Sequence, residues 1–161
     1  MSFPKYFDSR NSLNLFGLEK EFVFFKKLYL TNKLPKVLML SGAKGSGKST
    51  LINHFLFSIF DKVKYNQNEF KLLDSSLLVR QIKDNIFPNI IYLQGSDFKS
   101  IKIDDIRNLK SNILKTSIIN KERFIILDDV ELFNINSLNA LLKIIEEPSK
   151  KNYFILINNK T

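Results

Sequence analysis

Apolar and polar positions follow two alternating rhythms along this chain. Residues 18–30 carry apolar side chains at helical spacing, with Glu19, Lys20, Glu21, Lys26 and Lys27 on the polar side, which predicts a helix. Residues 36–41 (KVLMLS) form a short apolar run bounded by Pro35 and Gly42 and read as a buried strand. A second helix is expected over residues 48–60, where Leu51, Phe55 and Ile59 recur at every fourth position. The pattern is weakest over residues 61–89, read as irregular structure with one helix around residues 72–82. Residues 90–93 (IIYL) give a second buried strand. Residues 103–117 give a helix with Ile103, Ile106, Leu109 and Ile113 inward and Arg107 and Lys110 on another face. Residues 124–127 (FIIL) are a third strand, ending in Asp128-Asp129. Residues 136–147 follow an i, i+3, i+4, i+7 pattern through Leu138, Leu141, Leu142 and Ile145, and Pro148 stops that helix by forcing its predecessor out of helical geometry. Residues 153–157 (YFILI) are the fourth strand.

Continuous apolar strands separated by helices point to an α/β fold: a mainly parallel sheet with helices on both faces, in three layers. In such sheets ligands gather at the carboxyl ends of the strands, so the polar residues following the strands are expected to be neighbours. A length of 161 residues favours one domain. No run approaches the ~20 apolar residues that span a bilayer, and the N-terminus lacks the features of a signal peptide. With no cysteine, disulfides and cysteine-ligated zinc are excluded. A soluble cytoplasmic protein with no membrane partner is expected. Lys and Arg number 25 against 16 Asp and Glu, a net charge of +9. That balance suits a nucleic-acid or polyphosphate partner, and equally a compositional bias, because Lys, Asn, Ile and Phe are abundant throughout.

The segment Gly42-Ala43-Lys44-Gly45-Ser46-Gly47-Lys48-Ser49-Thr50 fits GxxxxGK[ST] at every fixed position and lies between a predicted strand and a predicted helix. Glycines let the backbone curl so that successive N–H groups converge on phosphate oxygens, and the helix adds its positive dipole end. Lys48 supplies a charge to the β and γ phosphates, and the Ser49 hydroxyl is the expected magnesium ligand. The ligand class is therefore ATP or GTP with Mg2+. Asp128, at the end of an apolar strand, fits the carboxylate that holds magnesium through its water shell in P-loop proteins. Asp129 stands where many P-loop families use a glutamate to polarise the attacking water. The side chain is one methylene shorter, and displacement by about 1 Å costs roughly 100-fold in rate. Slow or absent hydrolysis is therefore expected, with Asp129 acting as base only through a shifted water.

Residues 121–133 (KERFIILDDVELF) followed by residues 137–148 (SLNALLKIIEEP) resemble the AAA+ clamp-loader subunits, in which Asn-Ala-Leu-Leu-Lys and Glu-Glu-Pro follow an acidic strand at this spacing. The stretches 103–107 (IDDIR), 15–19 (LFGLE) and 34–36 (LPK) are similar to the same family. Within it the likeness runs toward the delta-prime subunits of bacterial DNA polymerase III and covers residues 15–161. It implies an AAA+ P-loop NTPase domain that binds ATP and Mg2+ and helps load the sliding clamp onto primer–template DNA, in a hetero-oligomer with other clamp-loader subunits. It also implies that Asn159, in preference to Asn158, senses the γ-phosphate, and that Arg107 and Lys110 face DNA phosphates. The motor subunits of such loaders carry Asp-Glu where this chain has Asp128-Asp129, and many relatives have a four-cysteine zinc module that is absent here. The family's arginine finger, lid and collar would lie beyond Thr161, which makes these residues the first domain of a longer protein by that likeness.

His54, the single histidine, lacks a nucleophile partner pattern and reads as a packed or solvent-facing residue. The fifteen phenylalanines read as core rather than base-stacking residues. Glu146 and Glu147 read as an exposed helix end. Two alternatives to the clamp-loader reading stay open. One is a stand-alone P-loop ATPase or kinase, for which no phosphoacceptor site is evident. The other is a non-hydrolysing structural stator.

Overall fold

The four apolar runs become four parallel strands. The structure, a computed structural model, describes residues 13–73, 75–83, 86–95, 111, 122–146 and 151–160. Its elements in chain order are α1 (Glu19–Leu30), β1 (Val37–Ser41), α2 (Lys48–Phe60), β2 (Tyr65–Asn66), β3 (Lys71–Leu72), α3 (Leu77–Lys83) and β4 (Ile90–Gln94). They continue with β5 (Arg123–Asp128), a 3-10 turn (Val130–Leu132), α4 (Ile135–Ile145) and β6 (Asn152–Asn158). By its contacts the chain forms two compact units, Met1–Leu34 with Gly45–Phe87, and Pro35–Lys44 with Pro88–Thr161. Of the helix expected over residues 103–117 the structure describes residue 111 alone, which is helical; Arg107 and Lys110 lie outside the described residues, as do Glu147 and Pro148.

The second unit holds the sheet, ordered β1-β6-β5-β4 with every pairing parallel. Strand β5 is buried along its whole length and β6 as far as Ile157. Each large aliphatic side chain so enclosed contributes about 1.5–3 kcal/mol. Ile125, Leu127, Phe154 and Leu156 share a core with Val130, Phe133, and Leu141 and Ile144 of α4. Asn134 starts α4 by accepting the Ser137 N–H at 2.8 Å, one residue earlier than the apolar pattern suggests. The buried stripe of α4 runs through Ser137, Leu141 and Ile144, so Leu142, expected to face inward, is 44% exposed.

Two of the four strands depart from the expected full burial. In β1, Val37, Met39 and Ser41 are exposed while Leu38 and Leu40 are half-buried; in β4 all five residues are half-buried. Both are outer strands among the described residues, each paired on one side only, and an apolar run cannot reveal its rank in the sheet. At the amino end of the strands the Phe124 and Tyr153 rings stack 5.1 Å apart, and the Lys36 ammonium sits 3.7 Å from the Tyr153 ring centre. The carboxyl end carries the polar residues instead.

The first unit is joined by aromatics. Phe25 and Tyr29 of α1 meet Phe55 of α2 with ring centres 6.2 and 5.9 Å apart. Phe22 packs on Tyr65 at 5.4 Å and on Phe70 at 5.5 Å. Helix α2 is buried on every side from Leu51 to Ile59, including His54, whose Nδ1 lies 3.1 Å from the Tyr65 hydroxyl. His54 is thus a packed residue. The sequence pattern misses the β2–β3 hairpin, and Leu72 belongs to β3 rather than to a helix. Asn66 turns the chain there, its Oδ1 accepting the Asn68 and Glu69 N–H groups at 3.1 and 3.2 Å. Such side-chain turns are favoured by asparagine but leave only two residues per strand for an apolar pattern to register. Helix α3 then starts after Ser76, whose Oγ accepts the Leu78 N–H at 3.1 Å and whose hydroxyl donates to Asp61.

Burial pushes the Tyr65 phenol well above its ordinary pKa of 10.0, because only the deprotonated form is charged. The unfolded chain releases that proton near the ordinary value. The phenol's contribution to stability is therefore complete below pH 10.0 and is lost as the pH rises above it. Urea unfolding at increasing pH should show Tyr65→Phe less stable by about 1 kcal/mol near neutrality, yet losing less stability than wild type in the alkaline range. Parallel alkaline losses in the two proteins would contradict this.

Candidate functional site

Strand β1 ends at Ser41, opposite Asn158 of β6, and β6 lies beside β5. Because the strands are parallel, Gly42 to Lys44, Asp128-Asp129 and Asn158-Asn159 all leave the sheet at its carboxyl end. At about 4.8 Å per strand, β1 and β5 are separated by roughly 10 Å. The remaining loop residues, Gly45 to Thr50, belong to the first unit. Gly45 and Gly47 have φ of 83° and 85°, left-handed values that glycine alone adopts without strain. Gly47 is also the N-cap of the 13-residue α2, and its carbonyl accepts the Leu51 N–H at 2.8 Å. A Cβ at Gly47 would come within 2.9 Å of Leu18 Cδ1, a side-chain end that can move aside, so it is the left-handed backbone that demands glycine. Lys48 directs its ammonium back over the loop, donating to Ser46 Oγ at 3.2 Å. Ala43, Lys44, Gly45 and Ser46 are exposed, whereas Gly42, Gly47, Lys48, Ser49 and Thr50 are half-buried.

At the carboxyl end of β5 the chain turns sharply at Asp129, whose φ of 50° and ψ of 45° are left-handed. A short polar side chain tolerates this conformation better than most. Asp128 is buried, its Oδ1 accepting the Asp129 N–H at 2.9 Å and its Oδ2 accepting the Tyr92 hydroxyl. Asp129 is also buried and points across the sheet end. Its Oδ1 accepts Asn159 Nδ2 at 2.6 Å and its Oδ2 faces Gln94 Nε2 at 3.4 Å. The backbone N–H of Asn159 donates to Glu131 Oε2 at 3.1 Å. Asp129 and Asn159, selected from the sequence, are thus in contact, while Asp128 is held by other partners.

Sequence reasoning passed over Tyr92, Gln94, Gly95 and Glu131. The signal for Gln94 was its place at the end of an apolar run, since β4 pairs Gln94 with Asp128 in register. Gly95 carried none, because its importance is steric: a Cβ there would lie 2.1 Å from the Asp129 carbonyl oxygen.

Magnesium keeps several of its waters and takes one or two carboxylates together with substrate phosphates rather than a protein cage. The described residues contain no group of three His, Cys, Asp or Glu placed to hold a metal. Asp128, at the carboxyl end of β5, offers hard carboxylate oxygens of the kind that mode of binding uses. No helix among the described residues is long and apolar enough to cross a membrane.

The parallel four-stranded sheet with polar strand ends defines an α/β domain. Its fold is similar to that of PCH-2 of C. elegans, with a TM-score of 0.51 and 18% identity, covering 98% of this chain and 40% of that one. The profile of the family described as "DNA polymerase III, delta subunit" matches residues 17–161, and the chain belongs to this family of AAA+ clamp-loader subunits. It is 34% identical over 62 residues to the DNA polymerase III subunit delta' of Pseudomonas aeruginosa, covering 38% of this chain and 19% of that protein. It is 26% identical over 124 residues to the DNA polymerase III subunit gamma of Buchnera aphidicola subsp. Schizaphis graminum, covering 77% of this chain and 33% of that protein. The chain thus spans between a fifth and a third of the length of these relatives.

Replacing Gly95 with alanine should force the Asp129 carbonyl away and break the Asn159–Asp129 bond. The expected cost is about 1–3 kcal/mol in urea unfolding, the usual penalty for overpacking. Unchanged stability would show that the turn at Asp129 yields freely.

Proposed function

We propose that this member of the clamp-loader family binds ATP through residues 42–50 and serves in a hetero-oligomer with other polymerase III subunits. Its task there would be to help place a sliding clamp on primer–template DNA during replication. The observation that carries the nucleotide reading is the loop itself: a left-handed Gly47 capping α2, with the Lys48 ammonium turned over the loop. The positive dipole end of α2 favours an anion at that point. In this reading Lys48 contacts the β and γ phosphates, Ser49 and Asp128 serve magnesium, and Asn159 reads the γ-phosphate. Bound magnesium would neutralise phosphate charge and orient the terminal phosphoryl group. Arg107 and Lys110 are the proposed contacts to DNA phosphates.

Asp129 limits the chemistry. Its short side chain is already engaged by Asn159 and Gln94 at the sheet end, which favours a subunit that binds nucleotide and turns it over slowly or not at all. This observation keeps the non-hydrolysing stator in play as a second reading.

Titration of labelled ATP with magnesium should show a 10- to 100-fold weaker affinity for Lys48→Ala, roughly the worth of one charge-assisted hydrogen bond. Equal affinity in the two proteins would sink the nucleotide reading. In a reconstituted loader, Asp129→Glu should raise ATP turnover, since the carboxylate then extends by one methylene. No gain would mean that carboxylate reach is not what restrains hydrolysis.

A further inference from the structure

Asn159 is held at two points by one short turn. Its side chain donates to Asp129 Oδ1 at 2.6 Å and its backbone N–H donates to Glu131 Oε2 at 3.1 Å. Both acceptors flank Val130, at the head of the 3-10 turn that follows β5. Strand β6 ends at Asn158, so Asn159 is the first residue past the strand. An N–H in that position needs an acceptor from outside the sheet, and Glu131 provides a charged one, which makes a stronger bond than a neutral acceptor would. With its backbone fixed by Glu131, Asn159 retains only side-chain torsions with which to reach Asp129. Without that bond the backbone itself can rotate, and the amide is carried away from the carboxylate.

We propose that Glu131 is the positioning residue of this strand end, fixing the backbone of Asn159 so that its amide engages Asp129. Glu131 is half-buried and touches the sheet end only through this N–H among the bonds described for it. Its effect on nucleotide is therefore exerted through Asn159. The structural part of the inference stands on the hydrogen bonds alone. Its functional part rests on the nucleotide-binding reading: if Asn159 reads the γ-phosphate, Glu131 controls the preference for a nucleoside triphosphate over a diphosphate.

The test uses the full chain labelled with nitrogen-15, as wild type, Glu131→Ala, Glu131→Gln and Glu131→Asp, observed without nucleotide. Glu131→Ala should displace both the backbone and the side-chain amide signals of Asn159 while the rest of the spectrum stays in place. Glu131→Gln keeps a carbonyl oxygen at the same reach and should restore the Asn159 side-chain signals to their wild-type positions. Glu131→Asp, one methylene too short, should behave as the alanine variant and replaces it if that variant does not fold. Side-chain signals of Asn159 at wild-type positions in Glu131→Ala or Glu131→Asp would overturn the proposal, as would a failure of Glu131→Gln to restore them. Affinities for ATP and ADP with magnesium then address function: the ATP preference should fall by about 5-fold or more in Glu131→Ala and return in Glu131→Gln. An unchanged preference beside displaced Asn159 signals would overturn the functional part. Absence of ATP binding in the wild type would instead defeat the nucleotide reading and leave the spectral result to decide the role of Glu131.

Discussion

The pairing of β5 with β6 is the constraint on which the second unit depends. Both strands are enclosed along nearly their whole length, Phe124, Ile125, Phe154 and Ile157 being among the most buried residues. Their parallel register, Ile125 opposite Phe154 and Leu127 opposite Leu156, fixes which residues emerge together at the carboxyl end. Asp128, Asp129 and Asn159 are consequently neighbours because of the core beneath them, whatever they do for function. Slippage by one residue would exchange the two faces of a strand and disrupt the packing on both, so the core that stabilises the sheet also sets the geometry of its polar end.

Polar groups brought to the end of a buried sheet require partners, since an unmet hydrogen bond there costs about 1–3 kcal/mol. The chain meets that requirement with few residues. Tyr92 and the Asp129 N–H supply Asp128; Asn159 and Gln94 supply Asp129; Glu131 supplies the Asn159 backbone. The left-handed turn at Asp129 makes this possible, and the glycine at position 95 leaves room for the carbonyl that the turn displaces. Reach and flexibility are thereby given up at Asp129, which accords with the proposal of slow or absent hydrolysis.

Much of this was legible in the residues. The four strands, α1, α2 and α4 follow from apolar spacing, the loop, Asp128 and Asp129 were singled out by motif and strand position, and Asn159 by the family resemblance. What escaped was set by tertiary context. The runs 36–41 and 90–93 resemble those of the central strands, yet β1 and β4 are the outer strands among the described residues, because order within a sheet is decided by contacts far apart in sequence. The β2–β3 hairpin, two residues per strand, is too short for any period to show, and its turn is made by the Asn66 side chain. Glu131 and Gly95 matter through one hydrogen bond and one close approach, neither of which leaves a periodic trace. The net charge of +9 remains two-sided, fitting a nucleic-acid partner and a general lysine-rich composition alike.

The proposed nucleotide site at residues 42–50 can be examined by an amide-resolved NMR titration of the wild-type chain with ATP and magnesium. Saturable shifts are expected, largest at the backbone amides of Gly45, Gly47 and Lys48 and at the Asn159 side chain. Shifts that fail to saturate, or that fall on exposed lysines such as Lys64 and Lys151 while the loop stays unmoved, would contradict it.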